Sequence, residues 1–264
     1  MLEYRGKLAL VTGASSGIGY SIAKELVARG ATVIAVARRV ERLRELQTTS
    51  PPGSIELLVA DLCNRDDLKR ITDTIESRNI QVVVNNAGRG SFGVFDKLPI
   101  ESELEMIELN VIAFTSITHA ALNSFRKQGA GAILGVSSIA AFQPLPYLAT
   151  YAATKAFEFH LFDALRAEVR ERSITLTSLN PGPVATEFAG VARVPGTVTG
   201  FNRDDVKMVA RKALDALARG DRYIVPGFSS YMMAFASQWL PRWITVNAVA
   251  KSLGPVLARS KLNS

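Results

Sequence analysis

Short runs of β-branched and aliphatic residues alternate along this chain with longer stretches whose apolar positions recur every three or four residues. KLALVTG (7–13), ATVIAVA (31–37), SIELLVA (54–60), QVVVNNAG (81–88), GAILGVSS (131–138), SITLTSLN (173–180) and RYIVPG (222–227) read as strands buried on both faces. Between them, GYSIAKELVARG (19–30), VERLRELQ (40–47), RDDLKRITDTIESR (65–78) and the segments 101–127, 151–172 and 204–219 carry helical periodicity. Strict alternation of this kind predicts an α/β fold, a doubly wound parallel sheet with helices on both faces. There is no internal repeat and no low-complexity linker. A single domain is therefore expected over 1–264, with its core at about 7–227 and a C-terminal apolar, helical extension at about 228–264.

The tail changes the pattern. Residues 223–241 carry no charge and include YMMAFASQWL, followed by Pro241, Arg242 and Trp243. Breaks at Pro226, Gly227, Ser229 and Ser230 argue against a membrane span. A lid over a substrate pocket, a subunit contact and a helix touching a membrane surface stay open.

Composition narrows the class. At 264 residues, 48% hydrophobic and 21% charged, the chain suits a soluble globular protein with a substantial core. The lone Cys63 has no intramolecular partner, which implies a reducing compartment. The N-terminal MLEYRGKLALVTGASSG carries Glu3, Arg5 and Lys7 before a strand-length apolar run, unlike a signal peptide. A cytoplasmic protein is expected, with the tail as a candidate peripheral membrane contact. The net charge of +7 is scattered, with Arg38-Arg39 and the Arg170/Arg172 pair as its nearest clusters, and no nucleic-acid motif accompanies it. No nucleic-acid partner is expected; an anionic cofactor would account for part of the excess.

The chemistry begins at TGASSGIG (12–19), between the first strand and the first helix. Gly13, Gly17 and Gly19 allow a tight turn and close backbone approach, while Ser15, Ser16 and Ile18 place N–H groups where a helix N-terminus faces a pyrophosphate. After the second strand, Ala37 stands where an acid for a ribose 2′-hydroxyl is common, and Arg38 and Arg39 follow. Paired guanidinium groups suit a 2′-phosphate, so NADP(H) is expected ahead of NAD(H).

YAATK (151–155) sets a phenol and an ammonium on one helix face. A nearby cation stabilises a phenolate, so Tyr151 and Lys155 read as a tuned acid/base pair. With TGASSGIG, Asp61-Leu62, NNAG (85–88), Asn110, Ser137-Ser138, YAATK and NPGPVAT (180–186) in this order, the chain resembles the short-chain dehydrogenase/reductase family over about 7–227. The resemblance implies a Rossmann fold. It also implies that Tyr151 is the general acid in reduction and the base in oxidation, and that Lys155 bonds the nicotinamide ribose and depresses the tyrosine pKa. Ser138 would bond the substrate oxygen, and Asn110 would hold a relay water. Ser137 would stand behind them. Asp61 and Leu62 would flank the adenine, and Asn85, Asn86, Ala87 and Gly88 would line the crossing point of the sheet. Pro181, Gly182, Val184 and Thr186 would hold the nicotinamide amide. His119 and His160, far apart and without ligand spacing, receive no role, and no metal site is expected.

Charge is sparse in EFAGVARVPGTVTGFN (187–202) and in the tail, which implies an apolar substrate; glycines 190, 196 and 200 suggest a mobile lid. The expectation is an NADP(H)-dependent oxidoreductase interconverting a carbonyl and a secondary alcohol on a hydrophobic small molecule. A 3-oxoacyl thioester reductase is the alternative, and a non-catalytic nucleotide-binding scaffold a third reading. The resemblance further implies a homodimer or homotetramer through the helices at 101–127 and 151–172.

Overall fold

The computed structural model describes residues 2–169, 173–191 and 204–260. The Arg170/Arg172 pair, and Gly196 and Gly200 of the expected lid, lie outside the described residues. Strands β1 (Leu8–Thr12), β2 (Thr32–Ala37), β3 (Ile55–Val59), β4 (Val82–Asn85), β5 (Ala130–Val136), β6 (Ser173–Leu179) and β7 (Tyr223–Ile224) form one seven-stranded sheet. Their order is β3-β2-β1-β4-β5-β6-β7, and every pairing is parallel. This is the doubly wound, Rossmann-like sheet that the alternation predicts. Its order reverses between β1 and β4, which opens a crevice at their C-terminal ends.

Successive strand residues face opposite sides, and two cores result. Ala9 and Val11 of β1 and Val33 and Ala35 of β2 pack with α1 (Gly17–Ala28), α2 (Val40–Thr48) and α8 (Val206–Arg219). Leu10, Ile34 and Val36 turn to the other face, toward α3 (Arg65–Ser77), α5 (Phe114–Gln128) and α6 (Ala149–Glu168). Side chains such as Leu10, Ile34 and Phe125 are fully buried, each contributing about 1.5–3 kcal/mol.

Two departures from the pattern matter for the site. The periodicity of 101–127 predicts one helix, but α4 (Ile100–Ile107) and α5 are joined by a π-helical turn at Glu108–Ala113. That wider turn carries Asn110 inward to complete burial. β4 ends at Asn85, short of the expected Gly88, because the N–H groups of Asn86 and Ala87 donate to Thr12 Oγ1 (2.9 and 3.0 Å) instead of to a neighbouring strand. Downstream, a short helix α7 (Phe188–Val191) follows β6, and the tail forms α9 (Phe228–Trp239) and α10 (Arg242–Ser260). Phe228, Tyr231, Phe235 and Trp239 leave an apolar face of α9 in solvent. Among the described residues, no helix is long and apolar enough to cross a membrane.

Candidate functional site

The loop after β1 is a cradle in which side chains have no room. Gly13 (φ 68°) and Gly17 (φ 56°) take the left-handed conformation that favours glycine. A Cβ on Gly13 would stand 2.7 Å from Asn86 Nδ2, and one on Gly19 would stand 2.5 Å from the Gly13 carbonyl oxygen. Asn86 holds the arrangement, donating to the Thr12 carbonyl oxygen at 2.8 Å. Ser16, at the N-cap of α1, makes no side-chain capping bond, and the first turn contains no acid. The N–H groups there and the positive end of the helix dipole are left to an incoming anion. A dinucleotide pyrophosphate fits this cradle.

Arg38 and Arg39 diverge. Arg39 Nη2 and Nε lie 3.2 and 3.4 Å from Ser15 Oγ, beside the cradle, and Arg39 Nη1 pairs with Glu187 at 2.9 Å. Arg42, one turn further along α2, reaches the same Glu187 carboxylate at 3.2 Å. Arg38 instead faces Asp61 (3.6 Å) and Glu105 (3.8 Å). The guanidinium hydrogen bond from Arg39 holds the Glu187 carboxyl below the usual carboxylate range. Spacing alone did not reveal Arg42 or Glu187; their signals were the i,i+3 step from Arg39 and adjacency to Thr186.

Just after β5, Ser138 Oγ accepts from Ala140 N–H (3.1 Å) and approaches the Pro181 carbonyl oxygen (3.5 Å), and its hydroxyl favours the ionised form of the Tyr151 phenol. Lys155 Nζ lies 5.9 Å from the Tyr151 ring centroid. Gly88 keeps the space beside it open, since a Cβ there would stand 3.2 Å from Nζ and 3.3 Å from Asn110 Oδ1. Asn110 donates to the Arg89 carbonyl oxygen and to Thr154 Oγ1, both at 3.0 Å, and accepts from Arg89 N–H at 3.0 Å. Thr154 in turn donates to the Tyr151 carbonyl oxygen at 2.8 Å. Ser138, Tyr151, Lys155 and Asn110 thus meet at one place.

Three features of this cluster differ from expectation. Lys155 Nζ is held from behind by Glu158, 3.0 and 2.9 Å from its two carboxylate oxygens, and by the Val136 carbonyl oxygen at 3.1 Å. Burial raises the Tyr151 pKa above its ordinary value; Lys155 and Ser138 pull it down, Glu158 opposes them, and the balance stays upward. The expected depression of the phenol is therefore outweighed by desolvation. Asn85 is turned inward, donating to the Phe114 carbonyl oxygen (2.9 Å) and Thr118 Oγ1 (3.2 Å), so it braces α5 and does not line the crevice. Glu158 is detectable in the sequence only as a carboxylate between Phe157 and Phe159, on the face shared by Tyr151 and Lys155.

The loop at 180–186 closes the other side. A Cβ on Gly17 would lie 3.2 Å from Thr186, and one on Gly182 would strike Ser230 Oγ, so this loop sits between the cradle and α9. Val184 bridges in parallel to Asp204, and the Phe188 ring lies 5.5 Å from that of Tyr151. Asp61 Oδ1 accepts from Cys63 N–H (3.0 Å), and Leu62 is buried beneath it.

The short chain dehydrogenase family model matches residues 7–194. Hydroxysteroid dehydrogenase-like protein 1 of Gallus gallus is 30% identical over 246 residues, 90% of this chain and 73% of that protein. The very-long-chain 3-oxoacyl-CoA reductase of Anas platyrhynchos is 33% identical over 196 residues, 71% of this chain and 63% of that protein. Among solved structures, a short-chain dehydrogenase from Sphingobium yanoikuyae in complex with NADPH superposes with a TM-score of 0.80 at 30% identity, covering 87% of this chain and 92% of that one. With a family model spanning most of its length, the chain belongs to the short-chain dehydrogenase family of oxidoreductases.

Proposed function

We propose that the protein is an NADP(H)-dependent oxidoreductase that interconverts a carbonyl and a secondary alcohol on a hydrophobic small molecule. The observation that carries this reading is the meeting of the Tyr151 phenol, the Ser138 hydroxyl and the Lys155 ammonium beside a glycine cradle flanked by Arg39. A bound nicotinamide dinucleotide supplies or accepts the hydride. Gly13, Ser15, Ser16, Gly17, Ile18 and Gly19 bind its pyrophosphate; Asp61, Leu62, Asn86, Ala87 and Gly88 flank the adenosine. Pro181, Gly182, Val184 and Thr186 hold the nicotinamide end. Ser138 orients the substrate oxygen, Tyr151 gives or takes its proton, and Asn110 with Lys155 links that proton to solvent. Phe188 and the apolar tail supply the substrate-facing surface. A screen of NADPH oxidation with hydrophobic ketones tests the reading; turnover with none of them, while NADPH still binds, would favour a non-catalytic scaffold.

A 3-oxoacyl thioester reductase is the second reading, favoured by the likeness to the Anas platyrhynchos enzyme and by the net charge of +7, which suits an acidic carrier partner. Including 3-oxoacyl-CoA in the same screen separates the two. In this reading of its surface the chain pairs through α4, the π-helical turn after it and α6 as a homodimer, since Ile100, Leu104, Ile107, Ile112 and Phe157 are exposed there. Further assembly to a tetramer, or contact with a membrane, would use the aromatic face of α9.

Selectivity for the 2′-phosphate rests on Arg39. Arg39→Ala weakens NADPH binding by about 10–100-fold, the loss of a charge-assisted contact. NADH affinity changes by less than about threefold, because it has no group for that guanidinium. An equal effect on both cofactors, measured by fluorescence titration, removes Arg39 from the phosphate site. Glu187→Gln gives the opposite sign. It frees Arg39 and Arg42 from a half-exposed carboxylate and tightens NADPH by roughly twofold to fivefold.

A further inference from the structure

Tyr151, Lys155 and Glu158 share one face of α6, and Glu158 is the least expected of the three. Its side chain is 1% exposed and that of Lys155 is 5% exposed. Charged side chains are rarely buried so completely without a partner, and here each is the other's. The Lys155 ammonium has three acceptors inside the protein: both Glu158 oxygens and the Val136 carbonyl oxygen at the end of β5. Ser137, the next residue of the chain, donates to the Lys155 carbonyl oxygen at 2.8 Å and fixes the helix turn between the pair. The cation that faces Tyr151 therefore carries its own counter-charge.

We propose that Glu158 is a positioning residue of the acid–base site: it fixes Lys155 Nζ beneath Tyr151 and offsets the cation's charge, keeping the phenol protonated to higher pH than Lys155 alone would allow. This deepens the oxidoreductase reading and rests on it. With Glu158 in place, Tyr151 acts as a proton donor across the neutral range, so carbonyl reduction keeps its rate further into alkaline conditions.

The electrostatics agree with the geometry. Among the described residues, the groups acting on Tyr151 are Lys155 and Glu158 from its own helix and the Ser138 hydroxyl from the end of β5. Those acting on Glu158 are Lys155 and the Ser137 hydroxyl. Beside them, the π-helical turn offers the uncharged Asn110 amide, and the chain after β4 offers Gly88 and the Arg89 backbone. Burial pushes the Glu158 carboxyl up to about 7 against the pull of Lys155. The anion is thus present above about pH 7, the range in which a phenol must be prevented from ionising.

The test uses the cofactor-free protein, so it does not depend on turnover. Ultraviolet difference titration of tyrosinate, with Tyr151→Phe as the blank, isolates the Tyr151 ionisation. Glu158→Gln keeps the shape and an acceptor for Nζ but removes the charge; the Tyr151 midpoint falls by about one pH unit, a tenfold change in its dissociation constant. Glu158→Asp keeps the charge and leaves the midpoint near wild type. An unmoved midpoint in Glu158→Gln, or an equal drop in Glu158→Asp, overturns the proposal. Should Glu158→Gln fail to fold, the wild type serves: the Lys155 side-chain nitrogen signal, assigned with Lys155→Met, shifts as Glu158 titrates near pH 7. A signal flat across that range overturns the proposal equally. If the midpoint moves but the wild type reduces no carbonyl, the catalytic reading fails and the buried pair stands. An active wild type with an unmoved midpoint sinks the pair alone.

Discussion

Replacing Tyr151 with Phe lowers the rate of carbonyl reduction by about 10³-fold, within the range that a positioned general acid contributes. The substitution keeps the ring, and with it the packing against Phe188. It removes only the hydroxyl, the group on which Lys155 and Ser138 act. Among the described residues, no neighbour replaces the lost proton donor. Lys155 is committed to Glu158 and the Val136 carbonyl oxygen, and Asn110 to Arg89 and Thr154. The Ser138 hydroxyl is itself engaged, by the Ala140 N–H and the Pro181 carbonyl oxygen. NADPH affinity stays within about threefold of wild type, because the cradle and Arg39 are untouched. Steady-state kinetics beside a binding titration check both halves. Retained turnover would remove Tyr151 from its role.

The second large effect is structural in origin. Gly19→Ala drives a Cβ into Asn86 Nδ2 and places it 2.5 Å from the Gly13 carbonyl oxygen and 2.9 Å from its carbon. Two of these neighbours are backbone, so the loop and not a side chain has to move. Overpacking of this kind costs about 1–3 kcal/mol. The displaced atoms are those that face the pyrophosphate, so the cost appears in binding as a roughly 10–100-fold loss of NADPH affinity. Circular dichroism and a melting curve separate this from unfolding. Wild-type affinity in a folded Gly19→Ala protein would mean that the pyrophosphate does not enter this loop.

Much of this site is legible in the sequence. Consecutive apolar runs marked the buried strands, and glycines at 13, 17 and 19 marked the cradle, because both follow from local sterics. Helical spacing puts Tyr151 and Lys155 on one face, and Ser138 and Asn110 in register with them mark the pair as functional. What local reasoning missed depends on neighbours distant in sequence or on subtle helix geometry. The π-helical turn at Glu108–Ala113 preserves the apolar character of an ordinary helix, so periodicity ran through it. Arg38 and Arg39 are adjacent in the chain yet point to different partners, one to Asp61 and Glu105, the other to Ser15 and Glu187. Only the fold brings Glu187 back over α2. Asn85 looked like a crevice residue, but its alternation along β4 turns it toward Thr118. Burial is the last hidden quantity: the charge of Lys155 was readable, but the desolvation that outweighs it at Tyr151 was not.

The account stands on the claim that the 12–19 loop and Arg39 hold a phosphate-bearing dinucleotide. Fluorescence titration of the wild-type protein with NADPH and with NADH, at one moderate salt concentration, tests it most directly. The predicted result is saturable binding of both, with the NADPH Kd at least about tenfold lower. Equal affinities, or tighter NADH, would contradict it.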